Sequence, residues 1–273
     1  MLTEASQTFT FTNLDAAPVP SLLRNFSAPV VLDIDYTDAE LLTLLAHDTD
    51  AFNRWEAGQR LALRIAINSM ATSAFPESAT ATSEPKILGT AFVEAMRAVL
   101  RNPLLDAAFK ELVLTLPSEA YVAEQLDVVD PQRIHSAREG IKLQLARALH
   151  TDWEWAYESN HDTGAYSPDA VSSGRRALAN LALSMLVLDA QVRHNQVWPG
   201  KALQRFKDAT NMTDRLGALA ALVNAHSDLA AGALERFHAQ FKNEALVIDK
   251  WFTLQVTAPE HEGKVFARAK ALM

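Results

Sequence analysis

From Thr37 onward, the apolar residues of this 273-residue chain recur at the three-to-four-residue spacing of a helix, and no strand-like alternation interrupts them. This pattern constrains the fold more than any other feature, because the helical stretches are also punctuated by recognisable starts. In TDAELLTLLAHD, Thr37 stands three residues before Glu40, the spacing at which two side chains reciprocally satisfy the free amides of a helix N-terminus. Ser118 precedes EAYVAEQL, and Asp130-Pro131 places an N-cap before a proline whose missing N–H would have had no helical partner anyway. Asn211 precedes TDRLGALAAL, with Asp214 near the positive end of the helix dipole. Asn102-Pro103 reads as one more start. Later helices are expected at about 201 to 210, 212 to 226, 228 to 242, 245 to 256 and 260 to 272. Many short helices with short connections and no strict repeat predict a mainly α protein, a degenerate superhelical stack of antiparallel helix pairs of the armadillo or HEAT kind.

The faces of these helices can be read in part. DAFNRWEAGQRLALRIAINSM puts Phe52, Trp55, Gln59, Leu63 and Ala66 on one stripe, with Glu56 and Arg60 paired four residues apart on another. AVSSGRRALANLALSMLVLDAQ carries Leu178, Leu181, Met185 and Leu188. ALVIDKWFTLQV is apolar around almost its whole circumference, which predicts a helix sandwiched in the core. Its adjacent Asp249 and Lys250 diverge by about 100°, so each is expected to find a partner on another helix and fix its register. The Ser/Thr/Pro-rich segment 71 to 86 is expected to be a flexible loop.

The first 36 residues differ. QTFTFTN alternates threonine with Phe9 and Phe11, and APVPSLL and APVVLDIDY follow, each opened by a proline. Two or three short strands are predicted there, a set too small to be stable without a larger sheet or a helical layer over its face.

Bulk properties exclude several function classes. The mass of 30.0 kDa allows one large domain or two smaller ones. A formal net charge of -8 gives no general attraction to nucleic acid or anionic lipid, so neither is an expected partner. The absence of cysteine removes disulfides, thiolate zinc sites and cysteine nucleophiles. MLTEASQTFTF lacks the basic and apolar regions of a signal peptide, and the apolar run LALSMLVL is too short to span a bilayer. A cytoplasmic location is expected.

Motifs that carry chemistry are sparse. HEGKV begins like a zinc-peptidase helix, but Val265 stands where the second histidine must be, so His261-Glu262 reads as a solvated helix start. The remaining histidines form no pair three or four residues apart, and no phosphate-binding glycine loop or G-x-S-x-G turn occurs. Asp33 and Asp35 align on one side of a strand, where solvent-facing edge charge is the simpler role. Arg176 and Asn180 lie four apart on an otherwise apolar helix. An arginine there either holds a ligand carboxylate or, more commonly, ties a neighbouring carbonyl. No catalytic residue and no metal ligand is assigned.

Seven stretches in register, FSAPV, FNRWEAGQRL, LTLPSEAYVAEQ, VDPQRIHSAR, RALAN, NMTDRLGAL and LVIDKWFTLQ, resemble the C-terminal portion of bacterial aminopeptidase N, a family of zinc metallopeptidases. The resemblance covers essentially the whole chain. It implies that residues 1–36 are closing strands of an incomplete immunoglobulin-like sandwich and residues 37–273 most of a helical domain that covers the zinc site. The family's zinc-binding HExxH helix, substrate-amine motif and catalytic tyrosine belong to a domain without counterpart here, so zinc is implied for the full-length enzyme and no cofactor for this region. The implied partners are the catalytic domain of the same polypeptide and peptide substrates. Arg176, Asn180, Asn211 and Asp214 are the expected lining or support of the substrate chamber. The alternative is an independent helical-repeat module that binds peptides or proteins. An upstream reading frame carrying an HExxH domain would favour the first reading over the second.

Overall fold

The computed structural model describes residues 4–71, 87–161, 164–261 and 263–273. Among these, the chain forms thirteen α-helices and no strand. They are α1 (Asp38–His47), α2 (Ala51–Ala71), α3 (Thr90–Arg101), α4 (Ala107–Leu114), α5 (Glu119–Ala123), α6 (Pro131–Ala148) and α7 (His150–Asn160). α8 (Ala170–Val192), α9 (Val197–Asp208), α10 (Met212–Asn224), α11 (Ala230–Phe241), α12 (Ala245–Val256) and α13 (Lys264–Leu272) follow. None is long and apolar enough to cross a membrane among the described residues. The segment expected to be a flexible loop falls, over residues 72–86, outside them.

Local capping chemistry sets the helix starts. The Thr37 side chain accepts from the Glu40 amide while Glu40 reaches back to the Thr37 amide. Ser118, Asp130 and Asn211 accept amide hydrogens of the first turns of α5, α6 and α10, as their positions predict. Asn102 does not start a helix. Its carboxamide oxygen accepts from the Leu104 amide in a local turn that, with Pro103, ends α3; α4 begins later, capped by Asp106.

α8 is the axis of the fold, packed against α4, α6, α7, α9 and α10. Leu178, Ala179, Ala182, Leu183, Met185, Leu186, Val187 and Ala190 are buried along it, a wider face than the expected stripe, because neighbours flank it on several sides. Two close approaches depend on glycine. A Cβ on Gly174 would lie 2.8 Å from the Ala108 backbone nitrogen, and one on Gly217 would lie 2.5 Å from Asn180 Cγ. These positions let α4 and α10 come close to α8.

The face of α2 differs from the expected stripe. Arg54, Ala57, Gly58, Leu61, Ala62 and Ala66 point inward, whereas Phe52 is half exposed and packs on Phe26 with ring centroids 4.6 Å apart. The Glu56–Arg60 pair forms at 2.9 Å.

Residues 4–36 contain a single 3₁₀ turn, Arg24–Phe26, and no ladder. The strands predicted here are therefore absent among the described residues. Alternation survives over 32–36: Leu32, Ile34 and Tyr36 face the helices and Asp33 and Asp35 face solvent. The carbonyls that a neighbouring strand would engage are taken by arginines of α2, Arg64 at 2.7 Å from the Tyr36 oxygen and Arg60 at 3.4 Å from that of Ile34. Phe11 and Val31 remain exposed.

α12 also departs from expectation. Only Gln255 is buried; Val247, Trp251 and Leu254 are partly covered, and Leu246 is 80% exposed. Its anchor is Trp251, whose indole N–H donates to the Leu234 carbonyl at 2.9 Å. Asp249 and Lys250 are both exposed and make no ion pair among the described residues, so they pin nothing. Apolar circumference without helices on every side leaves α12 on the surface.

Candidate functional site

A polar cavity of about 460 Å³ opens where α7, α9 and the start of α10 converge. Helical spacing brings its groups together in pairs: Tyr157 and His161 lie four apart at the end of α7, and Lys201 and Arg205 four apart on α9. Asp214 comes from the first turn of α10. Asn211 Oδ1 accepts from the Asp214 amide at 2.9 Å and Asn211 Nδ2 donates to Asp214 Oδ2 at 3.0 Å, so the cap also orients the carboxylate.

Arg205 is the centre. Its side chain is 5% exposed, its Nη2 donates to Asp214 Oδ1 at 2.8 Å, and its guanidinium sits 5.3 Å from the Tyr157 ring centroid. Nη1 lies 2.7 Å from His161 Nδ1. A guanidinium only donates, so Nδ1 is the acceptor and the imidazole proton sits on Nε2. Nε of Arg205 is buried without a partner among the described residues. Toward the mouth, Lys201 Nζ lies 4.1 Å from the Trp198 ring centroid and 3.3 Å from Glu158, and Tyr157 meets Trp198 edge-on at 5.4 Å. The cavity thus offers an aromatic wall with two oriented cations, each already balanced by a carboxylate. It suits a ligand with both polar and apolar parts.

The four residues expected from the sequence separate into groups. Asp214 lines this cavity and Asn211 holds it in place. Asn180 sits on α8 beside the same turn of α10, its Nδ2 donating to the Thr213 carbonyl at 3.3 Å, and packs against Gly217. Arg176 is elsewhere: buried, it donates to the Ser167 carbonyl at 2.6 Å and lies 4.8 Å from the Tyr166 ring centroid, tying the connection before α8. Sequence reasoning missed Arg205, Lys201, Tyr157 and His161. The i, i+4 spacing of Lys201 and Arg205 was the available signal, but the partners come from other helices.

Among the described residues, no three or more His, Asp or Glu side chains are grouped to hold a metal. The zinc implied by the family resemblance finds no fitting ligand set here, and no chemical step is assigned through it.

Helices stacked in this order about one central helix, with a polar cavity between successive pairs, define an armadillo-repeat type of helical domain. The chain belongs to the family described as a domain of unknown function (DUF3458_C) with ARM repeats, whose model matches residues 38–273; a companion model, DUF3458 with an Ig-like fold, matches residues 1–35. It is 34% identical over 260 residues to aminopeptidase N of Caulobacter vibrioides and 34% identical over 259 residues to aminopeptidase N of Escherichia coli, covering 95% and 94% of this chain. The chain spans 28% of the length of each of these relatives. In three dimensions it is similar to a Legionella pneumophila aminopeptidase A solved in complex with aspartic acid, with a TM-score of 0.77 and 29% identity over 97% of this chain and 30% of that one. The resemblance to aminopeptidase N read from the seven motifs therefore holds across the chain.

Proposed function

We propose that this chain is the non-catalytic region of an aminopeptidase N-type zinc enzyme of the cytoplasm, walling the chamber in which N-terminal residues are released from peptides. The observation that carries this reading is the continuous match of 94–95% of the chain to relatives named aminopeptidase N, of which it spans only 28%. As such a wall, the helical stack excludes bulk water from a neighbouring active site and limits entry to extended peptides. The cavity of Arg205, Lys201, Tyr157 and Asp214 is the part of the wall equipped to touch a peptide, with Asn211 and Asn180 supporting it. Its partner is the catalytic domain of the same polypeptide, which supplies the zinc and the bond-breaking chemistry. Residues 1–36 belong, in this reading, to an immunoglobulin-like unit completed by that longer chain.

The purified chain alone is expected to bind no stoichiometric zinc and to leave aminoacyl chromogenic substrates intact. Chelator-sensitive turnover by the chain alone would contradict the proposal.

A further inference from the structure

A second cavity, of about 310 Å³, lies at the far end of the stack, between the turn joining α10 to α11 and the segment that leads into α13. Its lining is unlike the rest of this acidic chain. His226, His261, Lys264 and Arg268 converge on it, together with Ser227 and the buried Gln255, and Asp228 is the carboxylate among its described lining residues. The two imidazoles stack, with centroids 4.5 Å apart and planes 17° from parallel, although they are far apart in sequence. Backbone geometry produces the stack. His226 adopts a left-handed conformation, φ 53°, that turns the chain sharply after α10, and Gly263, at φ 69°, turns it into α13. Glu260, an acid of the connecting segment, accepts from the amides of His261 and Val265, which occupies its Oε1 locally.

We propose that this cavity is a binding site for a small phosphate-class anion, inorganic phosphate or a phosphate monoester, held by His226, His261, Lys264 and Arg268 with the Ser227 hydroxyl. Basic groups reach it from separate elements, which matches a tetrahedral dianion with oxygens in several directions; a planar carboxylate needs a single arginine fork. Lys264 and Arg268 supply fixed positive charge, and a histidine proton completes it.

Burial and the adjacent His261 hold the His226 imidazole below its ordinary range; Arg268 acts in the same direction, opposed by Glu260 and by Glu139 of α6. Lys264 and Asp228 also face the cavity. A dianion between these groups favours the protonated ring, so where free phosphate is already a dianion, above its own second pKa, binding takes up a proton and weakens as pH rises.

The test is an NMR titration of the intact chain with inorganic phosphate, following the imidazole C–H signals of His226 and His261 at about pH 6. Both signals are expected to move saturably, and affinity should fall about tenfold or more in Arg268→Gln, with up to about a tenfold further loss per pH unit above the histidine range. Lys264→Gln gives a second variant at an exposed position, and acetate at equal ionic strength should move neither signal. Glycerol phosphate then separates the sources: tighter binding assigns the site to monoesters, weaker binding to the free ion. An equal response to acetate, or unchanged phosphate affinity in both Arg268→Gln and Lys264→Gln, would overturn the proposal.

Discussion

α8 and α12 are both strongly apolar helices, yet one is the axis of the molecule and the other lies on its surface. α8 buries eight apolar residues named above plus the charged Arg176 and Asp189, because α4, α6, α7, α9 and α10 surround it. Among its described residues α12 buries only Gln255, and it packs mainly against α10, α11 and α13. Composition was nearly the same guide in both cases; the number of covering neighbours decided the outcome. Charges obey the same rule. Asp189, fully buried, faces Arg193 at 2.8 Å, Arg147 at 3.6 Å and the His150 ring at 2.8 Å, whereas Asp249 on α12 is exposed and makes no ion pair among the described residues.

This contrast orders the expected effects of mutation. The largest belongs to the buried charges and core around α8 and α10. Arg205→Ala removes the buried guanidinium from the half-buried Asp214, which among the described residues keeps only Asn211 as a side-chain donor, and is expected to cost about 3 kcal/mol, read as a lowered urea midpoint at unchanged slope. Leu186→Ala in the middle of α8 is expected to cost about 2–5 kcal/mol by the same measurement. Gly174→Ala pushes a methyl group into Ala108 and should cost about 1–3 kcal/mol. At the other end of the scale, Leu246→Ala and Asp249→Ala on α12 should each change stability by less than about 0.5 kcal/mol. A loss of several kcal/mol at either position would mean that α12 is covered in solution, and the contrast would collapse.

The surface end of the molecule should also carry a pH signature. The folded-state pKa of His226 lies below its unfolded value, so the unfolded chain binds more protons as the pH falls below the ordinary histidine range. The stability contributed by the neutral ring is complete above that range and is lost as pH drops through it. His226→Gln is therefore expected to flatten part of the decline in urea midpoint between about pH 7.5 and 5.5. An identical decline in the variant would place the acid sensitivity elsewhere.

The parts of the fold legible in the sequence are those fixed by neighbours along the chain. Thr37, Ser118, Asp130 and Asn211 cap helices because the amides they satisfy are two or three residues away. What required the tertiary structure was anything set by distant residues. The same signal misled at Asn102, where the side chain closes a turn after a helix. Phe52 belonged to the expected core stripe of α2 but faces outward against Phe26. For the candidate site, Asp214 and Asn211 were accessible through their capping pattern, while Arg205 meets His161 across a separation of 44 residues and Asp214 across 9. The stacked His226 and His261 lie still further outside any local pattern, because two left-handed residues and the path of α11 and α12 bring them together.

The central claim, that this region walls the chamber of an aminopeptidase N-type enzyme, is tested most directly at Lys201, whose exposed ammonium can be removed without disturbing the buried Arg205–Asp214 pair. The measurement is kcat/KM of the full-length enzyme bearing this region for a single-residue chromogenic substrate and for peptides of increasing length, with and without Lys201→Ala. The account predicts an unchanged value for the short substrate and a change of about threefold to tenfold for the longer peptides, carried mainly by KM. Equal effects on all lengths, or none on any, would contradict it.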